Sequence, residues 1–229
     1  MEIIPRVHIV DGVDANVYIL ETPDHLTLID TGLPGRLERI LNYINKPGRD
    51  PSSVSSIILT HSHIDHMGNV SALKRLTGAR LFVHEDDAPF VAGRKSFPLS
   101  KGLEEAILKA LPSLKLEYVE PDVLLREGDE IEGFTVIHNP GHTPGSISLY
   151  SRERGVISVG DALRYIDGEI RGPPTEFTPD MDQAIRSLGK LTGMEYDIML
   201  SGHGTPLGPH ASERVREFCR SLIKTGDEA

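Results

Sequence analysis

The sequence predicts an α/β fold, a four-layer αββα sandwich of two similar αβ halves with a metal site at one edge. Three observations lead there. Short apolar runs with a β-branched bias, such as Val54-Ser55-Ser56-Ile57-Ile58-Leu59 and Val156-Ile157-Ser158-Val159, read as buried strands. Stretches with helical spacing separate them, as in α/β proteins generally. One order of elements, hairpin then Asp-ended strand then helix then His-ended strand, occurs twice. Two such units pack best with sheet on sheet and helices outside.

In the first half, Val17-Tyr18-Ile19-Leu20 and His25-Leu26-Thr27-Leu28-Ile29-Asp30 form the hairpin. A helix follows from about Gly35 to Ile44, then the strand that leads to His61, then a helical pattern over Met67 to Leu76. In the second half, Phe134-Thr135-Val136-Ile137 precedes Ile147-Ser148-Leu149-Tyr150, and the strand Val156 to Asp161 comes next. A helix spans Met181 to Leu191, and the run Asp197-Ile198-Met199-Leu200 ends just before His203. An amphipathic helix is expected from about Ala211 to Lys224. It carries Cys219, the only cysteine, whose expected role is core packing because it has no partner for an intrachain disulfide. Between Glu85 and Val119 the pattern is less regular, with Phe90, Val91, Phe97 and Leu99 ahead of a helix through Leu103, Ile107 and Leu111.

Length and composition narrow the class. At 229 residues the chain fits one domain, 1–229, better than two. No apolar run approaches membrane-spanning length, and Met1-Glu2-Ile3-Ile4-Pro5-Arg6 lacks the regions of a signal peptide, so a cytoplasmic protein with no membrane partner is expected. Net charge is −10, from 24 Lys plus Arg against 34 Asp plus Glu, and no basic footprint for phosphate binding is present. Nucleic acid is therefore not an expected partner. The oligomeric state is not legible.

The strongest chemical signal is Thr60-His61-Ser62-His63-Ile64-Asp65-His66-Met67-Gly68, which places four metal-ligand side chains in six residues at the end of a buried strand. Alternate side chains of an extended segment share a face, so His61 and His63 converge on one ion. Asp65 and His66 follow the turn into a helix and can face a second ion. Packing three imidazoles and a carboxylate into one loop without a metal would set polar groups competing for partners with no gain in apolar burial. Three later strand ends offer further ligands beside glycines: His142 in Asn139-Pro140-Gly141-His142-Thr143-Pro144-Gly145-Ser146, Asp161 after Gly160, and His203 after Gly202. Each alone is an ordinary polar turn residue. Together with the first motif they become specific. His84 and His138 match no ligand motif and are read, like His8, His25 and His210, as hydrogen-bonding residues.

At this point the chain resembles the metallo-β-lactamase superfamily, whose pattern is His-x-His-x-Asp-His followed by a separate His, Asp and His at strand ends. In look it stands nearest the glyoxalase II-like and lactonase-like members. The resemblance runs from Ile29-Asp30-Thr31-Gly32 to His203 and implies the same four-layer fold. It implies that His61, His63 and His142 hold one metal, that Asp65, His66 and His203 hold the other, and that Asp161 bridges them. Asp30 matches a position that orders the ligands without binding the ion. On turn chemistry alone it reads equally as a residue that stabilises the bend Asp30-Thr31-Gly32. The family places an insertion such as 85–119 over the metal cleft; a helix that merely covers the sheet is the competing reading.

Imidazole and carboxylate ligands without thiolate suit Zn²⁺, and also Fe or Mn. Two such ions, about 3.5–4 Å apart, can share a water and lower its pKa toward about 7, so hydroxide is expected to attack a polarised acyl carbonyl without a protein nucleophile. Asp65 is expected to orient or deprotonate that water, and Tyr165, four residues after Asp161, is the expected hydroxyl donor to the oxyanion or leaving group, with a plain surface tyrosine as the alternative. Arg164 and Arg171 offer guanidinium groups suited to a substrate carboxylate, though solvated surface arginines fit the sequence as well. The commonest zinc β-lactamases carry a cysteine where Asp161 stands, glyoxalase II enzymes carry a longer C-terminal helical domain, and acyl-homoserine lactonases carry their tyrosine at the position of Arg164. The expected activity is hydrolysis of a small ester, thioester or lactone by a binuclear metal centre. The alternative is a persulfide dioxygenase-like oxidoreductase with a single iron. A closed structural metal site needs only four ligands and no bridging carboxylate.

Overall fold

Several strands are buried along their whole length, among them Val7–Val10, Leu26–Ile29 and Val156–Gly160, so both faces of their sheets are covered. The computed structural model describes residues 1–46, 49–96 and 116–226, with side chains as far as Leu222. The expected helix through Leu103, Ile107 and Leu111 lies outside the described residues. The chain divides into two compact units, Met1–Leu125 and Arg126–Ala229.

In the first unit, β1 (Glu2–Ile4), β2 (Val7–Val10), β3 (Val17–Glu21), β4 (Leu26–Ile29), β5 (Val54–Ile58), β6 (Arg80–His84) and β7 (Val123–Leu125) form one sheet in sequence order. Pairing is antiparallel from β1 to β4 and parallel from β4 to β7. The helices are α1 (Leu37–Ile44), α2 (Ile64–Met67), α3 (Val70–Thr77) and α4 (Ala88–Val91). Ile40 and Ile44 of α1 and Val70 and Leu73 of α3 join Ile19, Leu28 and Ile57 of the sheet in one buried cluster. The sequence predicts a helix from Met67, but α2 begins earlier and α3 is separate from it. Gly68 donates its N–H to Gly32 O at 3.0 Å, and the Asn69 amide donates to Thr31 O at 2.6 Å and Leu33 O at 2.8 Å. Docking on the 31–34 turn thus outcompetes a continuous helix.

In the second unit, β8 (Glu130–Ile131), β9 (Phe134–His138), β10 (Ile147–Ser151), β11 (Val156–Gly160) and β14 (Ile198–Ser201) form a sheet of order β14-β11-β10-β9-β8, while β12 (Arg164–Ile166) and β13 (Glu169–Arg171) form a separate hairpin. The helices are α5 (Met181–Leu191) and α6 (Ala211–Gly226). Leu188 and Leu191 of α5 pack with Val215 and Cys219 of α6 and with Val159 and Met199 of the sheet. Cys219 is buried as expected, and burial pushes its thiol up to about 11, which makes it a packing group and not a nucleophile at neutral pH.

The repeated order is present in the topology. β3 and β4 pair antiparallel and β4 pairs parallel with β5; β10 and β11 pair antiparallel and β11 pairs parallel with β14. Asp30 and Asp161 thus follow the two equivalent strands, and His61 and His203 follow their parallel neighbours. Among the described residues no helix is long and apolar enough to cross a membrane.

Candidate metal centre

The 60–68 loop of the first unit is held by buried carboxylates. Where β5 ends, Leu59 N–H still donates to Phe82 O at 3.0 Å, but Thr60 N–H donates to Asp30 Oδ1 at 2.8 Å and Ser62 N–H to Asp87 Oδ2 at 2.8 Å. Side chains thus take over the ladder and satisfy the backbone of a loop that has no strand partner. Asp30 itself sits at φ 62°, a left-handed backbone that turns the chain back under the loop. His66 N–H and Met67 N–H both donate to His63 O at 3.0 Å, which begins α2.

The rings of His61 and His63 lie 4.8 Å apart, edge to face, and those of His61 and His66 lie 4.0 Å apart. All three are buried, and Asp65 Oδ2 stands 3.8 Å from His66 Nε2. The hydrogen-bond count assigns the ring protons. Asp30 Oδ2 lies 2.8 Å from His66 Nδ1, and a carboxylate only accepts, so Nδ1 carries a proton and, in the neutral ring, Nε2 holds the lone pair. The Thr60 hydroxyl gives its one proton to Asp30 Oδ2 at 2.7 Å and so accepts from His61 Nδ1 at 3.1 Å. One buried carboxylate therefore orients two imidazoles, directly and through Thr60, and leaves their Nε2 atoms to meet an ion, which is more than the stabilisation of a bend.

In the second unit Asp161 is 5% exposed, and its Oδ2 lies 3.5 Å from His142 Nε2 and 3.4 Å from His203 Nε2. These separations are long for hydrogen bonds. They match the edge of a coordination tetrahedron, because donors about 2.1 Å from a common zinc ion stand about 3.4 Å apart. The donor set accordingly fits a divalent cation, with one carboxylate oxygen placed between two imidazoles that the resemblance gives to different ions. The His142 loop docks against the segment before α5: Ser187 Oγ donates to Pro140 O at 2.8 Å and Asp180 N–H to Gly141 O at 3.2 Å. Gly141 is required there, since its φ is +129° and a Cβ would lie 2.2 Å from Ala184 N.

The other expected residues are placed as follows. Tyr165 lies on β12, and its carbonyl accepts from Thr205 N–H at 2.9 Å, beside the His203 loop. Its side chain is half-buried against the second unit's core, and its hydroxyl accepts from Arg214 Nη2 at 3.2 Å, with the guanidinium 5.0 Å above the ring. Arg164 donates to Gly172 O at 3.0 Å, and Arg171 stands 3.5 Å from Glu169. His84 Nδ1 accepts from Asp86 N–H at 3.3 Å and His138 Nε2 donates to Pro144 O at 2.9 Å, as hydrogen-bonding residues do. Thr60, Asp87 and Thr178, whose hydroxyl lies 3.0 Å from His142 Nδ1, were not singled out from sequence. Threonine before the first histidine is the one weak signal; nothing marks Asp87 in the acidic run Glu85-Asp86-Asp87, yet it is fully buried.

Comparison with known proteins gives a consistent answer. The model of the metallo-beta-lactamase superfamily matches residues 10–203. The chain is 30% identical over 215 residues to the probable metallo-hydrolase YflN of Bacillus subtilis (strain 168), with 84% of this chain and 81% of that protein covered. It is 25% identical over 218 residues to the N-acyl homoserine lactonase of Bacillus thuringiensis, with 81% and 79% covered. Among solved structures it is similar to TTHA1623 in a di-iron-bound form, with a TM-score of 0.71 and 26% identity over 93% of this chain and 98% of that one.

Proposed function

The chain belongs to the metallo-β-lactamase superfamily as a metallo-hydrolase, and from that premise we propose that it is a binuclear enzyme that hydrolyses a small ester, thioester or lactone. The observation that carries the reading is the Asp161 oxygen set at ligand spacing from both His142 and His203. In this reading the chain acts as one catalytic domain. His61, His63 and His142 would hold one divalent ion and Asp65, His66 and His203 the other, with Asp161 as a ligand available to both. Zinc suits these donors best, while the di-iron form of TTHA1623 supports iron as a second candidate. Bound ions would polarise the acyl carbonyl and bring the pKa of a shared water down toward about 7.

The chain's own residues do the rest. Asp30 and the Thr60 hydroxyl keep the protons of His66 and His61 on Nδ1, so the ligating nitrogens are in place before an ion arrives. Asp65, less buried than His61, His63 and His66, is positioned to accept a hydrogen bond from the attacking water. Tyr165 receives Arg214 on its oxygen, which leaves the phenol proton for donation to the leaving group. The lactonase relative supports an acyl substrate, and the cytoplasm is the proposed location, with no nucleic-acid or membrane partner.

Elemental analysis of protein grown with both zinc and iron, followed by assay on ester, thioester and lactone panels, tests this. The expected result is close to two ions per chain and turnover of at least one acyl class that ceases on chelation. One iron per chain with oxygen-dependent oxidation of persulfides would replace the hydrolase reading with the dioxygenase one.

A further inference from the structure

We propose that Thr178 is a positioning residue that selects the ligating nitrogen of His142 before metal binds, a role that rests on His142 being a ligand. The argument is one of donors. Thr178 is 8% exposed and its hydroxyl has one proton. That proton goes to Pro174 O, 2.7 Å away; with no proton between them, two acceptor oxygens at that distance would repel. The hydroxyl oxygen can then only accept from His142 Nδ1 at 3.0 Å. The neutral His142 ring is therefore the Nδ1–H tautomer, and its lone pair sits on Nε2, the atom 3.5 Å from Asp161 Oδ2. The opposite tautomer would leave the Nδ1 lone pair facing the threonine oxygen and would aim Nε2–H at the position an ion has to occupy.

The local fold makes Thr178 more than a chance neighbour. Pro174, which takes the proton, precedes the single turn Thr175–Phe177, and Thr178 caps that turn, so the accepting carbonyl and the hydroxyl are fixed by the same few residues. The segment is held in turn to the His142 loop by Asp180 N–H on Gly141 O, while the Asp180 carboxylate caps α5 by accepting from Gln183 N–H at 2.9 Å. A rigid helix start thus presents one hydroxyl to one imidazole. The sequence offers no hint of the pairing, because Thr178 lies 36 residues from His142.

The test is zinc affinity of the whole protein, measured by competition with a chromophoric chelator, in Thr178→Val and Thr178→Ser, together with ¹⁵N spectra of the histidine rings in the metal-stripped protein. Thr178→Val keeps the shape and removes the hydroxyl; it is expected to weaken zinc binding by about 10–100-fold and to shift the His142 ring away from the pure Nδ1–H signature. Thr178→Ser keeps the hydroxyl and is expected to bind within about 3-fold of the parent. Unchanged affinity in Thr178→Val, or an equal loss in both variants, overturns the proposal. His142→Ala separates it from the underlying reading: if that variant still holds two zinc ions with parental affinity, His142 is not a ligand, whatever Thr178 does.

Discussion

Asp30 and Asp161 occupy the same place in the two units, each following a strand that pairs antiparallel with its predecessor and parallel with a His-ended strand. Their burial is nearly equal, at 2% and 5% exposed. Their surroundings are opposite. Asp30 receives protons, from Thr60 N–H, the Thr60 hydroxyl and His66 Nδ1. Asp161 Oδ2 faces two imidazole Nε2 atoms at tetrahedral-edge spacing. A buried carboxylate needs compensation: hydrogen bonds supply it at Asp30, and under the proposed function a cation would supply it at Asp161. If the proposed function holds, one topological position has been specialised twice, and the neighbours, not the residue type, decide between ordering a ligand and being one.

The sharpest way to break this comparison is to remove each carboxylate in turn. Asp161→Ala is expected to lower metal content well below two ions per chain and to cut kcat by on the order of 10³-fold or more, since the water would lose most of its pKa depression. Asp30→Asn keeps the size and the left-handed backbone but presents one accepting oxygen in place of two. Its expected effect is a metal affinity lower by about 10–100-fold, with full occupancy recovered in excess zinc. Titration with a metal indicator distinguishes the two. Equal, unrecoverable loss in both variants would mean that Asp30 is itself a ligand.

Why these carboxylates and histidines were legible, and their supports were not, follows from where the partners lie in sequence. His61, His63, Asp65 and His66 are adjacent, and His142, Asp161 and His203 each follow a strand and a glycine, so local pattern reveals them. The repeated order of elements was readable for the same reason, because each strand and helix carries its own periodicity. Asp87 and Thr178 bond to residues 25 and 36 positions away, and such pairs leave no periodic trace. The break between α2 and α3 was missed because Met67, Val70 and Leu73 keep helical spacing across it, while the competing bonds come from the distant 31–34 turn. Only the offset of Tyr165 from Asp161 is visible in the sequence; its link to Arg214 on α6 has no counterpart in that offset.

The docking of the two ligand loops can be compared through their glycines. A Cβ on Gly141 would lie 2.2 Å from Ala184 N, and the residue also sits at φ +129°; a Cβ on Gly68 would lie 2.3 Å from Pro34 N, without a positive φ. Both contacts are with backbone, so neither relaxes by a side-chain rotation. Gly141→Ala carries clash and strain together and is expected to cost about 3 kcal/mol or more, against about 2–3 kcal/mol for Gly68→Ala, read from urea unfolding midpoints. The reverse order would show that the His142 loop yields more readily than the turn beneath α3.

The smallest expected effect concerns the cores under these loops. Among the described residues, the fully buried members of the first unit's cluster are Val, Ile, Leu, Ala and Met, with no ionisable side chain. The second unit's cluster includes Cys219 and Tyr196, and burial raises the pKa of both, the thiol from 9.0 to about 11. The sign follows from proton binding. Between pH 9 and 11 the unfolded chain has lost the thiol proton while the folded chain keeps it, so the unfolded state binds fewer protons and stability falls as pH rises. The loss is on the order of 2 kcal/mol across that window and absent below it. Tyr196 adds in the same direction only above the ordinary tyrosine range. Cys219→Ala is expected to cost about 1 kcal/mol at neutral pH and to flatten the slope between pH 9 and 11. Hydrogen exchange at pH 7.5 and 10, corrected for intrinsic rates, locates the effect: protection is expected to fall first in β11, β14 and α6, and loss that begins in β4 and β5 would place the alkaline weak point in the other unit.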